Sequence, residues 1–222
     1  MKINKEFEKT FKDYREIHTE QCMLMSQFIY TYIEMHKLLN IYLDQINLAP
    51  SYFQLTFRSI RTSLILWVSK AFTKREGYSL FNYLEFIRQN VRYFTKEYNM
   101  YRTDSPENAP WYRKFQTPDE TKIQQQLTEL ESVLPIVDRI VSLRDKYHAH
   151  LDRTMANNKE AFLKANHFTF DEIKRFPILY SDIINYYSIA FDGENRLTMP
   201  INWNDLENIL KPLKPTQSID MM

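Results

Sequence analysis

Apolar side chains recur every three or four residues along most of this chain, a spacing that predicts helices rather than strands. Between Phe7 and Ile46 the stripe runs through Phe7, Phe11, Tyr14, Ile17, Met25, Ile29 and Ile33, as one long helix or two in succession. Residues 47–51, with Pro50, are expected as a turn. A second helix is predicted over 52–73, its stripe carried by Phe53, Phe57, Ile60, Leu64, Trp67 and Val68. Lys74 and Arg75 suit its last turn and Gly77 its C-terminal cap. A third helix fits 79–98 through Leu80, Leu84, Ile87, Val91 and Phe94. Residues 99–116, with Pro106 and Pro110, lose the period and are expected as a long loop, either functional or a plain connector.

Thr117-Pro118-Asp119-Glu120 has the form of a helix start, with Thr117 as cap and Pro118 in the first turn. That helix is expected to reach about Leu130. Pro135 then kinks it or begins another, and the helical pattern resumes from Ile136 to about His150. Asn157 and Asn158 mark a break. Thr169-Phe170-Asp171-Glu172 is a second capping box, opening a helix to about Phe191 with a possible bend at Pro177 and a stop at Gly193. Asn204 is a candidate cap for a short helix over 205–210. No internal repeat is evident. The expected architecture is a single all-α domain over 1–222, with its core at about 10–195 and a short C-terminal extension at 196–222.

Composition narrows the function classes. Only two glycines occur, Gly77 and Gly193, too few for glycine-rich phosphate loops or for a turn-rich sheet protein. Twenty-nine basic and 28 acidic residues leave a net charge of +1, so any basic site must be local. Cys22 is the one cysteine and cannot close an internal disulfide, which suits a reducing cytoplasm. The longest apolar run, Leu64 to Val68, is too short to span a membrane. A cytoplasmic location, with no membrane and no cofactor, is therefore expected.

The stretch Ser142-Leu143-Arg144-Asp145-Lys146-Tyr147-His148-Ala149-His150-Leu151-Asp152-Arg153 gathers two of the five histidines at the end of a predicted helix. Arg144 and His148 share a helix face. Arg144 and His150 are separated by roughly 120° and about 9 Å along an ideal helix, so both can border one groove. Arginine presents a permanently charged fork matched to phosphate. Histidine titrates near neutrality and suits proton transfer. Such a pair is sparse for an active site, and a second copy from a dimer partner would help. The bland readings stand beside this one: Arg144 pairing with Asp145 or Asp138, Tyr147 packing, and Lys146 and Arg153 as solvated charge. His148-Ala149-His150-Leu151-Asp152 has a superficial metal-binding form, but His18, His36 and His167 supply no clear further ligands, so no metal is expected. Arg88, Arg92 and Lys96 repeat at four-residue spacing, either as a face for an RNA backbone or as a solvated one.

Arg144, five intervening residues and His150, with Asp145 after the arginine and Ala149 before the histidine, resemble the Arg-x(4–6)-His motif of the HEPN superfamily. Within it the chain is similar to abortive-infection U-type phage-resistance proteins. The segment 59–73 with Trp67, the segment 143–152, and the segment 169–193 with Ile183-Ile184-Asn185-Tyr186-Tyr187 carry the resemblance, which covers roughly residues 10–195. It implies an up-and-down HEPN-type bundle of about four main helices, with additional helices, that dimerises along the motif helices. It also implies a metal-independent endoribonuclease of toxin or phage-defence type, with the arginines and histidines of both subunits in one cleft. Arg144 would then bind the scissile phosphate, and His150 would act as general acid or base. Asp145, His148, Tyr147, Lys146 and Arg153 are candidate supporting residues. The implied partners are RNA, a second copy and a cognate antitoxin or other partner protein. The alternative is a non-catalytic HEPN binding or scaffold protein, or a target of a partner nucleotidyltransferase modified at Tyr147.

Overall fold

The computed structural model describes residues 3–74, 76–103, 117–149, 158–199 and 205–213. Among them there are helices and turns and no strand. In chain order the helices are α1 (Lys5–Leu39), α2 (Leu43–Ile46), α3 (Pro50–Phe72), α4 (Leu80–Gln89), α5 (Lys96–Thr103), α6 (Glu120–Ser132), α7 (Leu134–Leu143), α8 (Lys159–Ala165), α9 (Phe170–Asp192) and α10 (Asp205–Leu210). A 3₁₀ turn, Val91–Phe94, joins α4 to α5. A π-helical turn, Arg144–Ala149, continues α7.

α1 is the axis of an all-α bundle. Its 35 residues extend about 52 Å at 1.5 Å per residue. It packs along α3 on one side and α9 on the other, and α3 in turn packs against α7 and the π turn. One continuous apolar core joins these helices to α4 and α6. At its α9 end, Phe7, Phe11, Phe94 and Phe191 interlock, with Phe11 and Phe191 centroids 4.5 Å apart and Phe11 edge-on to Phe94 at 5.1 Å. Most of the aromatic excess is thus core, although Tyr52, Tyr78 and Tyr101 are exposed.

Polar groups inside the core are tied together. The Tyr180 hydroxyl donates to Gln21 Oε1 at 3.0 Å. Its single proton is thereby committed, so His18 Nδ1–H must donate to the Tyr180 oxygen at 2.7 Å. Burial pushes the His18 pKa down to about 3, keeping the ring neutral. Cys22 is fully buried, and burial raises its thiol to about 12, which makes it an inert core residue. Arg15 and Asp192 pair across α1 and α9. Asn99 donates to the Ala190 carbonyl at 2.8 Å and Arg102 to that of Phe191. α5 thereby covers the free carbonyls at the end of α9.

The helix ends show where side-chain chemistry overrides periodicity. α9 begins at the complete Thr169–Glu172 capping box and ends at Gly193 in the left-handed region, φ 77°. α6 is capped by Asp119, which accepts from the Lys122 N–H at 2.7 Å, and not by Thr117. A carboxylate at the cap also favours the helix dipole. Pro50 opens α3 instead of lying in a turn, and α3 ends at Thr73 in extended conformation, so Gly77 is not its cap. The third helix is divided at Asn90, whose side chain bonds the Phe86 carbonyl at 2.9 Å and competes with the helical ladder. Arg88, Arg92 and Lys96 therefore lie on three successive elements, α4, the 3₁₀ turn and α5, and not on one continuous helix. α5 takes up the first part of the expected loop, Pro135 starts α7, and α8 is an additional helix. Asn157, Asn204 and most of 99–116 lie outside the described residues.

Candidate functional site

α3 and α7 run side by side, and the turn after α3 comes level with the π turn after α7. Four apolar positions of α7 (Ile136, Val137, Ile140 and Leu143) are buried, which anchors the helix against α3 and fixes where Arg144 emerges. Arg144 begins the π turn, in which each N–H reaches one residue further back than in an α-helix. Such turns are frequent at functional sites.

A cleft of about 540 Å³ opens here, with Val137, Leu134 and Val141 of α7 as its floor. Lys74 and Glu76 approach from the α3 side, and Asp138, Arg144 and Asp145 from the α7 side. Arg144 Nε donates to Asp145 Oδ1 at 2.7 Å, and its Nη1 lies 3.6 Å from Glu76 Oε1. The Arg144 side chain is 24% exposed, half-sunk along its apolar stem with the guanidinium at the cleft. The hydrogen bond that Arg144 donates to Asp145, partly opposed by burial and reinforced by the Asp145 and Glu76 charges, raises its pKa above the ordinary arginine value. Glu76 is itself positioned by backbone: its N–H donates to the Thr73 carbonyl at 3.2 Å, and its carbonyl accepts from Asn82 Nδ2 at 2.7 Å.

Among the described residues two cations and three carboxylates line the cleft, and Lys74 is already engaged by Glu131 at 2.8 Å. A phosphate entering here meets a guanidinium held in a fixed orientation but shared with two acidic side chains. Sequence reasoning identified Arg144 and Asp145. It missed Glu76 and Lys74, which reach the site from a distant part of the chain and carry no local signal.

Lys146 is exposed. Tyr147 and His148 belong to the π turn, but their side chains lie outside the described residues, as do His150 and Arg153. Among the histidines that are described, His18 is buried in the core, His36 lies between Tyr32 and Phe57, and His167 is exposed in the turn before α9. None of the three lines the Arg144 cleft. Among the described residues no group of three or more His, Cys, Asp or Glu side chains is placed to hold a metal ion, and no helix is long and apolar enough to cross a membrane.

Residues 8–211 match the family model described as AbiU2, a HEPN family. No curated protein and no solved structure matches the chain. The match runs from the first turns of α1 through α10 and includes the whole segment 142–153, so the chain belongs to the AbiU2 family of HEPN proteins.

Proposed function

We propose that this chain is a metal-independent endoribonuclease of toxin or phage-defence type, acting as a homodimer in which Arg144 and His150 of both copies serve one RNA-binding cleft. The observation that carries the proposal is Arg144 itself, oriented at the start of a π turn on an open cleft, within a chain of the AbiU2 family. In the reaction the ribose 2′-oxygen attacks the adjacent phosphorus, and the bond from phosphorus to the 5′-oxygen breaks. A histidine takes the 2′-OH proton, a histidine gives one to the departing 5′-oxygen, and the products are a 2′,3′-cyclic phosphate and a 5′-OH. The guanidinium binds the phosphate and stabilises the charge that builds on its oxygens. One His150 from each copy supplies both proton transfers. Asp145 holds the guanidinium in plane. Lys146, Tyr147, His148 and Arg153 flank the path of the RNA.

A second reading has an observation of its own: the charge of Arg144 is already met by Asp145 and Glu76. In that reading the domain binds or scaffolds without cutting, and Tyr147 serves as a target for a partner nucleotidyltransferase. The test that separates them is incubation of total cellular RNA in EDTA with wild type, Arg144→Ala, His150→Ala and His148→Ala, with end-group analysis. Cyclic phosphate ends from wild type, lost in Arg144→Ala and His150→Ala while the dimers persist, support the nuclease. Intact RNA with wild type, both purified and expressed in cells, refutes it.

A further inference from the structure

A second cavity lies at the opposite end of α3 from the Arg144 cleft. The last turns of α1, α2, the first turns of α3, and α10 enclose about 500 Å³, a volume within the usual range for a small-molecule site. Its walls are mostly apolar, formed by Leu39, Ile46, Phe53, Phe57 and Leu206 among others, with His36, Gln54 and Arg58 as the polar positions. They belong partly to a small satellite core, separate from the main one, built on Leu38, Tyr42, Ile46 and Leu210. Ile41 and Leu48, in the turns on either side of α2, Leu55 on α3 and Ile209 on α10 are exposed apolar residues of the same region.

One charge stands in this lining. Arg58, on the third turn of α3, is exposed at the cavity, and among the described residues no carboxylate lines it. Among the described residues Arg58 has no ion-pair or side-chain hydrogen-bond partner. Glu207, the acidic residue next to Leu206, is engaged instead by Lys211 at 3.1 Å and by the Tyr42 hydroxyl at 3.4 Å. A half-open, mostly apolar slot with one unmatched guanidinium at its edge selects a molecule with an apolar chain and a single negative charge. A carboxylate meets the arginine fork with two parallel hydrogen bonds.

We infer that this cavity binds a medium-chain carboxylate, with the chain between α1, α3 and α10 and the carboxylate on Arg58. The test is displacement of fluorescent 11-(dansylamino)undecanoate from the full chain by decanoate, octanoate and decyltrimethylammonium, all below their micelle thresholds. Decanoate is expected to compete at a concentration at least tenfold lower than decyltrimethylammonium. It should also compete about sixteenfold more tightly than octanoate, since each buried methylene contributes about a factor of four. Arg58→Glu, a change at an exposed position, should reverse the order of decanoate and decyltrimethylammonium. Leu39→Trp should fill the slot and weaken both, with an unchanged far-UV spectrum confirming the fold. An unchanged head-group order in Arg58→Glu overturns the inference, as does absence of dye binding by wild type. It is also overturned if dye binds only after Leu55→Glu has split a dimer, because a second copy is then what covers this face.

Discussion

Glu76→Gln removes the more distant of the two carboxylates on Arg144 while keeping the size and hydrogen-bonding capacity of the side chain. The Arg144–Glu76 separation is 3.6 Å, and Glu76 is 43% exposed, so water screens the pair. Coulomb's law at a water-like dielectric gives about 1 kcal/mol at that distance, the upper end for exposed pairs. A phosphate arriving at Arg144 must weaken this contact. Glu76→Gln should therefore tighten RNA binding by about fivefold at low salt. Fluorescence anisotropy with a labelled single-stranded RNA reads this out, in a His150→Ala background so that the RNA stays whole. Raising the salt from about 50 to 300 mM should shrink the advantage, since the Debye length falls below 10 Å. Asp145→Asn should not behave alike, because Asp145 at 2.7 Å orients the guanidinium as well as neutralising it. Unchanged or weaker binding by Glu76→Gln at low salt would refute the view that phosphate and Glu76 compete for Arg144.

Three further outcomes follow from the fold. Thr169→Ala opens the capping box of α9 and should lower stability by about 1 kcal/mol in urea titration, with Thr169→Ser restoring most of it. Asp192→Asn leaves the guanidinium of Arg15, buried at 6% exposure, without its countercharge and should cost on the order of 3 kcal/mol by the same method. His18 has its folded pKa near 3, below its unfolded value. The unfolded chain therefore binds more protons, and the stability tied to the neutral ring is present above about pH 6.5 and lost as pH falls towards 3. Between pH 6.5 and 5 wild type should lose about 2 kcal/mol from this residue, a slope that His18→Leu removes when urea midpoints are compared at the two pH values.

The legible parts of the fold were those whose signal is local. α9 was readable from end to end because its cap, its apolar stripe and Gly193 lie in one stretch of sequence. α1, α3 and α7 were readable from period alone. The errors sit where two local candidates competed: Thr117 against Asp119 as a cap, Gly77 against an extended Thr73 as a stop, a continuing stripe against Asn90, and a turn against a helix start at Pro50. α8 was missed because it is two turns long, with no fully buried position and only Phe162 and Leu163 packed on the core, too short a stretch to show a helical period. At the candidate site, Arg144 and Asp145 are neighbours in sequence and could be paired on paper. Glu76 and Lys74 reach the same cleft only because α3 and α7 pack side by side. The π turn left no trace in the spacing of apolar residues, since it begins where the buried face of α7 ends. The apolar cavity beside Arg58 was equally invisible, being assembled from the ends of separate helices.

The most direct test of the central claim is the rate at which one defined, end-labelled RNA is cut in EDTA by wild type and by Arg144→Ala, with the dimer of each verified by light scattering. A guanidinium that stabilises charge on the scissile phosphate predicts a loss of about 10²- to 10³-fold in Arg144→Ala, with the remaining product still ending in a 2′,3′-cyclic phosphate. Cleavage by Arg144→Ala within about twofold of wild type, at the same positions and with the same ends, would contradict it.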